Sequence, residues 1–198
     1  MRFDVLHLSV ADLDLTLDLR DCDADVILPD SYHKFLQPVA NPQAEFVDKT
    51  LHNNQTLDIQ LHDEPGGIDP GFTLVSKTDI WELYREHTNN RLLFYSPRGN
   101  PPCQLIVDEK FTHGDLFGDF SECGQRDVFP LLGLDNLVYI NWLASLNDVS
   151  LHASAVVIDG SGYGFFGVSG VGKSTLARAL NQTHAALVLG EDQVFLRC

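Results

Sequence analysis

Eight residues near the end of the 198-residue chain, Gly167-Val168-Ser169-Gly170-Val171-Gly172-Lys173-Ser174, match the pattern GxxxxGK[ST] without a mismatch. Glycines at this spacing let successive backbone N–H groups curl around a phosphate, and a helix opening near Lys173 adds the positive end of its dipole. Lys173 would reach the β- and γ-phosphates as a point charge, while the Ser174 hydroxyl would ligate Mg²⁺. The chemistry this allows is the binding of ATP or another nucleoside triphosphate. The binding set is Gly167, Ser169, Gly170, Val171, Gly172, Lys173, Ser174 and Thr175.

Two further stretches carry groups that could act on a bound phosphate. AALVLGEDQVFL predicts a buried strand from Ala185 to Leu189 that ends in Glu191 and Asp192. Carboxylates at the C-terminal end of a parallel strand beside the loop strand would stand where α/β sheets bind ligands. There they could hold Mg²⁺ with Ser174 or take a proton from an attacking hydroxyl. Upstream of the loop, SLHASAVVIDGSGYGFFGV predicts a β-hairpin around Asp159-Gly160-Ser161-Gly162. A turn centred near Gly160 and Ser161 would set His152 roughly opposite Ser169, at the mouth of the loop.

These groups need a scaffold, and KSTLARALNQ supplies a helix after the loop. The preceding residues read mostly as strands. Leu13, Leu15, Leu17 and Leu19 alternate with Asp14, Thr16 and Asp18, the period of a strand with one wet face. LDIQL repeats the pattern over residues 57–61, IWELYREHTNNRLLFYS reads as two strands joined near Asn89-Asn90, and CQLIVDEKF adds another. PDSYHKFLQ, with Pro29 in a first turn, predicts one short helix. NLVYINWLASLN after Asp135 predicts a longer one, with Leu137, Val138, Leu143 and Leu146 at helical spacing and Tyr139 and Trp142 widening the stripe. Asn147-Asp148 resets the chain. The expected organisation is a mostly β N-terminal domain over 1–147 and a second domain over 148–198, α/β locally and α+β overall.

Charge separates the same two parts. The first 150 residues carry 25 acidic against 10 basic side chains and the remaining 48 carry three of each, so the net −15 lies upstream of the loop. Such a surface repels nucleic acid and anionic lipid, which bind by exchanging counterions for Lys and Arg. Cys22, Cys103, Cys123 and Cys198 form no CxxC pair, which points to reduced thiols and a cytoplasmic protein. No leader and no membrane span are expected. His62 beside Asp63 and Glu64, His113 near Asp115, and the acidic run from Asp12 to Asp25 lack zinc or calcium spacing and read as solvated side chains. Ser154 has no GxSxG setting.

LHASAVVIDGSGYGFFGVSGVGKSTLARAL followed by LVLGEDQVFLR resembles the start of the catalytic domain of the HPr kinase/phosphorylase family, which has a phosphoenolpyruvate-carboxykinase type of P-loop. The resemblance covers residues 150–197, and DVFPLLGLDNLVYINWLASLNDVSLHAS extends it loosely upstream. It implies the first part of a P-loop kinase core: β-hairpin, P-loop, helix, strand. It also implies that Asp192 is the general base, that His152 assists at the acidic pair, that Lys173 serves catalysis and that Ser174, Glu191 and Asp192 face Mg²⁺. The phosphoacceptor would be a serine hydroxyl of a protein or peptide, and the family's multimers suggest a homo-oligomer.

Two departures are visible. Glu191 replaces an aspartate, and the chain stops at Cys198 where family domains continue, so a fragment with an exposed sheet edge is expected. Two other readings fit the same residues: a nucleotide-binding regulatory module that transfers nothing, and a simple P-loop NTPase. The second is the weaker, since no NKxD motif is present.

Overall fold

The computed structural model describes residues 5–20, 36, 55–97, 102–120, 134–184 and 186–197. The chain is mixed α/β, mostly β, and divides into two compact units, 1–139 and 140–198. The short helix expected over Pro29 to Gln37 lies outside the described residues apart from Leu36, which forms an isolated bridge with Leu8. Cys22, Cys123 and Cys198 lie outside them too. Cys103 is buried, and burial pushes its thiol up to about 12.

The first unit is built on an eight-stranded mixed sheet. Its strands are β1 (Val5–Val10), β2 (Leu13–Asp18), β3 (Gln55–Asp63), β4 (Phe72–Lys77), β5 (Glu82–Glu86), β6 (Leu92–Ser96), β7 (Cys103–Val107) and β8 (His113–Gly118), in the order β1-β2-β3-β8-β7-β6-β5-β4. Ala11 and Asp12, both at positive φ, close the β1–β2 hairpin, and β3 runs parallel to both β2 and β8. Period-2 alternation does the sorting. Leu13, Leu15 and Leu17 of β2 and Leu57, Ile59 and Leu61 of β3 are all buried. Each such side chain contributes about 1.5–3 kcal/mol of transfer free energy. The polar partners on the other face pair among themselves: Ser9 donates to Asp14 at 2.5 Å and His62 Nε2 lies 2.9 Å from Asp115.

Helix α1 (Asp135–Ser145) crosses the division between the units, and Val138, Tyr139, Trp142 and Leu143 are its buried stripe. Among the described residues no helix is long and apolar enough to cross a membrane. Asn147, at φ 62°, turns the chain into β9 (Val149–Ile158).

The second unit hangs on β9. Strand β10 (Ser161–Phe166) returns antiparallel to it, helix α2 (Lys173–His184) follows, and β11 (Leu187–Gly190) and β12 (Gln193–Leu196) pair with the other side of β9. The loop strand and the acid-bearing strand are therefore not the neighbours that the sequence suggested. The tight hairpin forces β9 against β10, so β9 occupies the slot between β10 and β11, which run parallel to each other with β9 antiparallel between them. Val156, Ala177 and Ala186 form the small core beneath α2, with Ile158, Phe165, Leu180 and Val188 packed around it. Arg197 and Asp148, both nearly buried, close the far end of the β9–β12 ladder with a 2.9 Å ion pair.

Candidate functional site

The glycine loop after β10 and the Glu191-Asp192 pair between β11 and β12 are breaks in regular structure that flank β9, which carries His152, while Lys173, Ser174 and Thr175 open α2. The hairpin turn is Asp159-Gly160, both at positive φ (51° and 77°), the two-residue geometry that matches strand twist. It is one residue earlier than the sequence suggested, so the β9–β10 pairing shifts and Phe166 falls opposite Ala153. Extending that register sets His152 level with Gly167 rather than Ser169.

Beyond Phe166 the chain leaves the sheet and loops through Gly170 (φ 80°) and Gly172 (φ 98°), backbone conformations that side chains with a Cβ rarely adopt. Gly172 O accepts from Leu176 N at 2.9 Å, which starts α2. The first N–H groups of α2 have no acceptor within the helix and face the loop end.

A cavity of about 220 Å³ opens at this point. Ser169, Gly170, Gly172, Lys173, Ser174 and Thr175 line its loop and helix side, and His152, Glu191 and Asp192 line the other. Gly167 and Val171 are not among the lining residues, though Gly167 contributes its carbonyl to Lys173.

Lys173 is 8% exposed, and its ammonium donates to Gly167 O at 2.9 Å and Val168 O at 3.3 Å. Among the described residues no carboxylate lies within ion-pair distance of it. A buried ammonium held only by carbonyls is a charge without a counterion, which makes the loop a strong attractor of anions.

Glu191 and Asp192 interrupt what is otherwise one long strand along β9, and the two residues point their groups differently. Asp192 is largely exposed and its Oδ1 lies 3.1 Å from His152 Nδ1. The Glu191 carboxylate is engaged by Arg178 of α2, whose Nε reaches both of its oxygens at 2.9 Å and whose Nη2 makes a still closer contact. That pairing raises the Arg178 pKa. The Glu191 backbone carbonyl turns the other way and accepts from Ser174 Oγ at 2.8 Å and Ser154 Oγ at 2.7 Å.

The donor set can be tested against a phosphate and its cation. Ser174 directs its one proton to Glu191 O, leaving its oxygen lone pairs for a cation, and Asp192 is an exposed carboxylate on the same cavity. The loop side offers an ammonium, a helix N-terminus and glycines with open space where a Cβ would be at Gly170 and Gly172. The residues fit.

Sequence reading passed over two participants. Arg178 stands four residues after Ser174, on the same helix face, and that spacing was available. Ser154 lacks a nucleophile's setting, but a lone serine among Ala153, Ala155 and Val156, two residues from His152 and so on its face of the strand, is the signal for another role.

No family model, curated protein or solved structure matches the chain.

Proposed function

We propose that the second unit is the nucleotide-binding part of an ATP- and Mg²⁺-dependent phosphotransferase of the HPr-kinase-like type, acting on a hydroxyl of a protein or peptide. The observation that carries this reading is Lys173, a nearly buried ammonium held by two loop carbonyls at the mouth of a glycine loop and a helix N-terminus. Bound phosphate would take the ammonium over from those carbonyls. Mg²⁺, when bound, neutralises phosphate charge, and Ser174 and Asp192 are the residues to hold it.

In the transfer, the acceptor oxygen forms a bond to the γ-phosphorus while the bond from that phosphorus to the bridging oxygen of ADP breaks. The hydroxyl proton goes to the Asp192 carboxylate, and His152 at 3.1 Å orients that carboxylate. Lys173 stabilises the charge that gathers on the transferred group and on the leaving oxygen. The chain's own contribution is positioning and charge, with one proton acceptor.

One observation favours a second reading, a regulatory module that holds nucleotide and transfers nothing: Arg178 already neutralises the Glu191 carboxylate. Single-turnover transfer from labelled ATP separates the two. Titration calorimetry with ATP and Mg²⁺ tests what they share. Lys173→Ala should weaken binding by about tenfold to a hundredfold, the range expected for losing hydrogen bonds to a charged group. Equal binding by both proteins would end the reading.

A further inference from the structure

Ser154 is a hydroxyl inside an apolar strand. Its neighbours along β9 are Ala153, Ala155 and Val156, and it is 0% exposed. An unbonded hydroxyl there would be destabilising, and an alanine would fill nearly the same space. Its bond to Glu191 O at 2.7 Å answers the first point and raises the question of what that carbonyl needs.

The answer lies in the same acceptor's second partner. Ser174 Oγ also donates to Glu191 O, and the two serine oxygens are 3.4 Å apart. A carbonyl oxygen has two lone pairs, and two donors saturate it. With both filled, the Ser174 proton is fixed inward and its lone pairs are left toward the cavity. Two residues earlier on the same strand face, His152 meets Asp192. Consecutive positions of one face of β9 thus grip consecutive residues of the interruption between β11 and β12, and a backbone bond from Ala153 N to Asp192 O at 3.2 Å lies between the grips.

We propose that Ser154 is the positioning residue of the cation subsite: it anchors the Glu191 carbonyl so that the Ser174 oxygen and the Asp192 carboxylate face one Mg²⁺. This rests on the nucleotide reading of the cavity. Ser154 touches neither nucleotide nor cation, and its effect passes through Ser174 and the Glu191-Asp192 backbone.

The test compares Ser154→Ala with the unaltered protein in ATP titrations at a series of Mg²⁺ concentrations, with Ser154→Cys, a weaker donor of similar size, as a second variant. The Mg²⁺ concentration that half-saturates binding should rise about fivefold in Ser154→Ala, the equivalent of the about 1 kcal/mol a neutral hydrogen bond contributes, and less in Ser154→Cys, while ATP binding in EDTA stays within about twofold. Hydrogen exchange should quicken at the Ala153 amide in Ser154→Ala without ligand. Lower thermal stability with an unchanged Mg²⁺ dependence would make Ser154 a purely structural residue and overturn the proposal. ATP binding that Lys173→Ala leaves intact would instead overturn the nucleotide reading, and the proposal with it.

Discussion

Glu191 serves three partners at once: its carbonyl organises Ser154 and Ser174, while its carboxylate is paired with Arg178. A divalent cation at Ser174 that used the carboxylate would have to take it from the guanidinium. Arg178 is exposed and the pair is solvated, so the competition is a weak one. Arg178→Ala is therefore expected to lower the Mg²⁺ concentration needed for half-maximal ATP binding by about threefold, opposite in sign to the effect of Ser154→Ala. Calorimetric titrations across Mg²⁺ concentrations would read it. An unchanged dependence would mean that Glu191 acts through its carbonyl alone. The loop residues were legible because chemistry fixes their types and spacing. Arg178 and Ser154 left only a helix spacing and a strand-face position in the sequence, because their roles depend on which turn of α2 meets which bend of the chain after β11.

At the scale of elements, strands with clean alternation were legible and the pairing between them was not. Leu13 to Leu17 and Leu57 to Leu61 announced β2 and β3, but their parallel pairing joins strands far apart in sequence, which local pattern does not encode. β8, His113-Gly114-Asp115-Leu116-Phe117-Gly118, has two glycines and little strand propensity; its neighbours β3 and β7 hold it in the sheet.

The turn before β8 is held by one carboxylate. Asp108 accepts N–H bonds from Lys110, Thr112 and His113 at 2.8, 3.1 and 2.8 Å and the Thr112 hydroxyl at 2.6 Å. These hold buried Phe111 at a positive φ of 53°. Burial pushes the Asp108 carboxyl up, but the four bonds together outweigh it and lower the pKa below its ordinary 3.8. A lowered folded value stabilises the fold above the unfolded pKa, and the gain is lost as pH falls through the folded value. Asp108→Asn should thus melt a few degrees below the unaltered protein at pH 7, and the gap should close below about pH 4. A gap that is constant from pH 7 to pH 2 would show that the amide replaces the carboxylate in everything but strength.

For the whole molecule, charge and chemistry are divided between the units. The 25 acidic side chains of the first 150 residues accompany an eight-stranded sheet, whereas the cavity draws every lining residue from 152–192, within the last 48 residues, where three acidic and three basic side chains balance. An anionic nucleotide would be repelled by the first unit and has no built partner there among the described residues, so its binding energy should fall on the second unit alone. A ligand at 100 times its Kd stabilises what it binds by about 2.7 kcal/mol. Hydrogen exchange with and without MgATP measures where that stabilisation goes. Protection should rise at the amides of β9, α2 and β11 and stay unchanged from β1 to β8. Protection that spreads through the eight-stranded sheet would mean that the two units respond as one cooperative body, and that the acidic unit takes part in nucleotide recognition instead of standing beside it.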